Sequence, residues 1–136
     1  MRQLLLKRLK NQKGLTLIEL LAVVVILGII AAIAVPSIAG IIEKSRENAA
    51  VANAEMLLSA SRLYAASNNV PNGTYVDDTD EGKAIAEFIE SDLNDPWDST
   101  VPEWSVTFED NVPEVTIEYS EGTASGSAGN VTFDRD

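Results

Sequence analysis

The chain contains neither cysteine nor histidine. The first absence removes any disulfide staple and any thiolate metal site. The second removes imidazole acid–base chemistry and with it a Ser-His-Asp triad. Basic residues are scarce as well, ten against 21 acidic ones, for a net charge of −11. They are unevenly placed: Arg2, Lys7, Arg8, Lys10 and Lys13 are half of the total, and no acid precedes Glu19. Beyond residue 14, five basic residues face 21 acidic ones, a net of −16. Five scattered cations do not build a phosphate-tracking stripe, so direct nucleic-acid binding is not expected.

Charge itself is missing over a long stretch. Between Lys13 and Glu43 the only charged residue is Glu19. Residues 15–42 form an apolar run which, as a helix, would be roughly 42 Å long, enough to span a bilayer with some tilt. The basic residues ahead of it favour the cytoplasmic side, sending the acidic remainder outward: amino terminus in, carboxyl terminus out. A carboxylate within such a segment costs roughly 2.5–3.5 kcal/mol at a helix centre, which makes Glu19 a candidate functional residue. Three readings of it are open: a charge snorkelling at the membrane edge, a group paired within a plain membrane anchor, or a carboxylate drawn to a new amino terminus created between Gly14 and Leu15. In the third, loss of either partner would leave an uncompensated buried charge.

The residues Gly14-Leu15-Thr16-Leu17-Ile18-Glu19-Leu20-Leu21, running on to Ala32-Ile33-Ala34-Val35-Pro36, resemble the class III signal of type IV pilins and pseudopilins. The resemblance implies cleavage after Gly14 by a prepilin peptidase, N-methylation of Leu15, and polymerisation through the apolar helix. Glu19 matches the family's buried glutamate and Pro36 its helix-kinking proline, while Leu15 stands where phenylalanine is most frequent. The implied product is a structural subunit of a type IV pilus, with a pseudopilin of a competence or type II secretion machine as the alternative. No enzyme activity and no cofactor are expected. The partners implied are copies of itself, other pilins, the peptidase, a platform membrane protein, an assembly ATPase, and the membrane before assembly. Many pilins of two-membrane bacteria close a carboxyl-terminal loop by a disulfide; the missing cysteines point instead toward the Gram-positive type. Assembled, the subunit would lie at the cell surface.

A rival signal overlaps the first. Ala32-Ile33-Ala34 resembles the small-x-small site of a secretory signal peptide, and cleavage there would release a domain starting near Val35. The acid at Glu19 and the continuous match from Gly14 to Pro36 weigh against it.

With 136 residues, the chain has room for one modest domain beyond the apolar helix. Four segments are expected: a basic leader over 1–14, the apolar helix over 15–42, its amphipathic continuation over 43–67, and a head over 68–136. In the continuation, Ile38, Ile42, Ala49, Ala52, Met56, Ala60 and Leu63 recur at helical spacing and predict the stripe that packs on the chain's own sheet. Asn68-Asn69-Val70-Pro71-Asn72-Gly73 should end the helix. A second helix is predicted over 81–93, with Ile85, Phe88, Ile89 and Leu93 on one face. Alternation at Trp104, Val106 and Phe108, and again at Val115, Ile117 and Tyr119, predicts two half-buried strands. Residues 122–130 read as a flexible loop before a short strand at Val131-Thr132-Phe133. The fold class is α+β: a long amino-terminal helix with a small antiparallel sheet on its distal half.

Acidic clusters offer oxygen ligands of the kind calcium takes. Asp92, Asp95 and Asp98 are the candidates, because Asp95-Pro96-Trp97 resembles a stretch of major pseudopilins in which calcium sites occur near the sheet. Asp98 stands where that stretch usually has glycine. The bland reading of these acids is a solvated surface. Trp97 and Trp104 are expected as packing residues, and the sequons at Asn72 and Asn130 carry little weight.

Overall fold

The computed structural model describes residues 2–136, with side chains described from Thr16 onward. The chain divides into two units, Met1–Ile42 and Glu43–Asp136. Helix α1 spans Arg2–Ser67 and so contributes to both. It ends where the sequence places its turn formers, with Asn68 returning both its N–H and its side-chain amide to the Tyr64 carbonyl. Pro36 lies inside α1. Having no N–H, it leaves the Ala32 carbonyl without its helical donor.

The second unit is an antiparallel meander laid on the distal part of α1. Its strands are β1 (Gly73–Val76), β2 (Glu103–Glu109), β3 (Val112–Tyr119), β4 (Gly122–Ser127) and β5 (Asn130–Arg135), paired in sequence order. Asp110 and Asn111 both adopt left-handed φ, 49° and 67°, in the two-residue turn joining β2 to β3. That is the backbone hand which suits a tight hairpin, and Asp and Asn tolerate it best among non-glycine residues. The alternation holds: Trp104, Val106, Phe108, Val115, Ile117 and Tyr119 are all buried against the helix.

Three expectations are corrected. Helix α2 covers only Asp80–Ala86, not 81–93. Thr79 caps it, accepting from Gly82 N–H at 3.0 Å and donating to Val76 O. After Ala86 the chain tightens into i→i−3 bonds from Phe88 and Ile89, which end the α-helical ladder. Ile85 and Leu93 are buried all the same, while Phe88 stays partly exposed in edge contact with Tyr64.

Residues 122–127 form a strand and not a loop. Small side chains gave no apolar alternation to read, and the strand is held instead by backbone pairing on both sides. A Cβ at Gly126 would lie 2.1 Å from the Asn130 carbonyl oxygen, so close backbone approach is what this glycine permits. Strand β1 likewise sits partly inside the segment read as a turn.

The third correction concerns the face of α1. The residues it buries against the sheet are Ala50, Ala54, Leu57, Leu58, Ala60, Ser61 and Ala65. Of the stripe expected there, only Ala60 is fully buried and Met56 partly; Ala49, Ala52 and Leu63 are exposed. Two apolar stripes share this helix, and spacing alone does not tell which one meets the sheet. Ser61 is accommodated in the buried stripe because its hydroxyl donates to the Leu57 carbonyl at 2.7 Å.

Candidate functional site: an exposed apolar helix and a pinned head

In the first unit, every large apolar residue from Leu17 to Ile42 is exposed, with Ile33 at 71% and Ile42 at 48%. A monomeric soluble protein does not leave an uninterrupted helix of this kind in water, so a bilayer or other protein must cover it. By length and composition it is able to cross a membrane. Glu19 lies on this helix and is exposed. Gly14 and Leu15, the expected processing site, fall outside the residues whose side chains are described.

The acidic loop after α2 is organised by hydrogen bonds. Asp95 is 3% exposed. Its Oδ1 accepts from Trp97 N–H at 2.8 Å and its Oδ2 from Ser120 N–H at 2.7 Å. Burial pushes its carboxyl up, but the N–H donors of Ser120 and Trp97, with the Ser120 hydroxyl and the Asp98 N–H, outweigh it and hold the carboxyl below its ordinary value. Asp98 turns back on Thr100, accepting from its N–H at 2.9 Å and its hydroxyl at 2.6 Å. The structure does not bring Asp92, Asp95 and Asp98 together: among the described residues no group of three acids is placed to hold a metal ion. Both Asp95 oxygens are taken by backbone donors.

Sequence reasoning missed Glu43. Its Oε1 accepts from Trp97 Nε1 at 2.7 Å and pairs with Arg135 Nη2, while Arg46 stands 3.8 Å from its other oxygen. Trp97 in turn stacks on Phe133, with ring centroids 5.1 Å apart, and tilts against Tyr119. Tyr119 donates to the Ala50 carbonyl on α1 at 3.3 Å. The helix, the acidic loop and the last strand thus meet at one carboxylate. No spacing rule links positions 43, 97 and 135, so nothing in the sequence marked it.

A long amino-terminal helix, apolar and exposed in its first part and carrying a small antiparallel sheet on its second, is a pilin-like fold. The prokaryotic N-terminal methylation motif matches residues 9–35. The chain is also similar to the type II secretion system core protein G of Vibrio cholerae, at 40% identity over 65 residues, 48% of this chain and 44% of that protein. Core protein G of Pectobacterium carotovorum is 41% identical over 59 residues (43% and 38%), and that of Aeromonas hydrophila 40% over 60 (44% and 42%). The chain therefore spans less than half the length of these relatives. No solved structure matches it.

Proposed function

We propose that the chain is a structural subunit of a pseudopilin type, cut between Gly14 and Leu15, methylated on Leu15 and polymerised into a short filament of a secretion machine. Of the pilus and pseudopilin readings, similarity to type II secretion core protein G favours the second. The observation that carries the proposal is the methylation motif lying across the start of a fully exposed apolar helix. Leaving lipid for neighbouring helices brings no dehydration gain, so the driving force for assembly is packing together with pairing of the Leu15 amino group and Glu19 of adjacent subunits. The prepilin peptidase, a platform membrane protein, an assembly ATPase and related subunits are the partners this mechanism requires.

Intact mass and amino-terminal sequencing of the protein from its native cells test the processing step. The expected species begins at Leu15 and carries one additional methyl group. A start near Val35, or an uncut chain, would overturn the proposal. Glu19→Val should be processed normally yet fail to enter filaments. Deleting the chain should abolish secretion or uptake without removing long surface pili; loss of long pili instead would restore the pilus reading.

A further inference from the structure

Strand β5 is attached to the head differently from its neighbours. None of its six residues is buried, and only Val131 and Phe133 reach the core in part. It lies at an edge of the sheet and pairs with β4 alone. The facing strand offers Thr123, Ala124, Ser125, Gly126 and Ser127, side chains too small to grip it across the ladder. The turn between the two is also poorly made. Ala128 and Gly129 adopt left-handed φ of 36° and 89°. Glycine accepts that hand freely and alanine does not, whereas the β2–β3 turn uses Asp110 and Asn111, the types that tolerate it. The other edge strand, β1, is held more firmly: the Tyr75 ring packs edge-on to the buried Phe108 at 5.7 Å, and its hydroxyl donates to the Pro71 carbonyl.

What fastens β5 lies on its helix side and converges on Glu43. Arg135 pairs with the Glu43 carboxylate, and Phe133 stacks on Trp97, whose indole N–H donates to the same oxygen. The ion pair is open to water, with the Arg135 side chain 44% exposed, and Arg46 stands 3.8 Å from the other oxygen as a rival cation. A pair so placed is weakened by salt. We propose that β5 is a strap that opens as a unit ahead of the rest of the head, with Glu43 as its latch. Opening relieves the backbone at Ala128, exposes no fully buried side chain and breaks a single ladder. It uncovers the edge of β4 and one face of the Trp97 ring. The open form thus presents a template for an added strand that the closed form withholds. Glu43 is the first residue of the head unit, so the latch stands where the apolar segment ends in the chain.

Hydrogen exchange of the full-length chain in detergent micelles, followed at single amides over a series of low denaturant concentrations, tests the strap. The amides of the β4–β5 ladder should exchange together, faster than those of the β2–β3 ladder and with a weaker dependence on denaturant. Glu43→Gln keeps an oxygen to accept from Trp97 and loses the ion pair; it should speed the β4–β5 amides about fivefold. Raising salt from about 0.05 M to about 1 M should speed them in the wild type and leave them unchanged in Glu43→Gln. Ala128→Asn, which makes an Asn-Gly turn suited to this hand, should slow them about fivefold. Val106→Ala, a core change outside the strap, should speed the β2–β3 amides and leave the β4–β5 amides at their wild-type rates. If both ladders exchange together with one denaturant dependence, or if Val106→Ala speeds both alike, β5 is no strap. Early opening of β5 that ignores both Glu43→Gln and salt would remove Glu43 as the latch and overturn the proposal as stated.

Discussion

The indole N–H of Trp97 donates to the Glu43 carboxylate at 2.7 Å across 54 residues of chain. Arg135 pairs with the same oxygen, and the Trp97 ring stacks on Phe133 two residues before it. Glu43 is the first residue of the head unit, so the helix is fastened to both the acidic loop and the last strand where that unit begins.

Removing this carboxylate strands a partly buried indole N–H and frees Arg135. Glu43→Ala is expected to lower head stability by about 1–2 kcal/mol, the lower end of charge-assisted bonds because Glu43 is partly exposed. Trp97→Phe, which keeps a ring but not the donor, should cost a similar amount. The double variant should fall short of the sum, since both changes break one bond. Denaturant titration of the detergent-solubilised chain, with tryptophan fluorescence or circular dichroism as readout, checks all three.

Asp95 makes head stability sensitive to acid. Its folded-state carboxyl is held below the ordinary value by N–H donors, so its contribution is fully present above the unfolded value of about 3.9. It is lost as pH falls through the lowered folded value. Asp95→Ala should cost about 2 kcal/mol or more at neutral pH, because two backbone N–H groups lose their acceptor. The variant should also lose part of the wild-type fall in thermal midpoint below pH 4. An unchanged midpoint at pH 7 would contradict this account of the loop.

Tyr119 acts at the other end of the scale. Burial pushes its phenol up to about 12, with Asp95 adding to the rise and Asn53 opposing it. An acid whose folded pKa is raised leaves stability untouched below the unfolded value of 10.0. Between there and about 12, ionisation in the unfolded chain draws the equilibrium away from the folded state. Tyr119→Phe should therefore flatten the loss of stability between pH 10 and 12 in an alkaline melting series, at a cost near 1 kcal/mol at pH 7 for the lost bond to Ala50.

Much of this protein was legible in its sequence. An apolar run whose single charge is Glu19 fixed the apolar helix, and turn formers after Ser67 fixed its end. Period-two alternation fixed β2 and β3 down to which side chains turn inward. These are local properties, set by transfer free energy and by backbone geometry that each residue carries with it. Where side chains were small, as in β4, or where an alternating pattern was too short, as in β1, local signals were silent and backbone pairing supplied the strand.

Only tertiary structure decided the rest. Two uncharged stripes compete on the distal helix, and the sheet took the one containing Leu57 and Ser61, leaving that of Ala52 and Leu63 outward. It also decided that Asp95 would be spent on Trp97 and Ser120 N–H groups, although its acidic neighbours suggested a cation. Glu43, Trp97 and Arg135 are brought together by folding over 92 residues of chain, and no periodicity encodes such a meeting. Periodicity reports that a face is apolar; what covers it depends on the shape of everything else that packs.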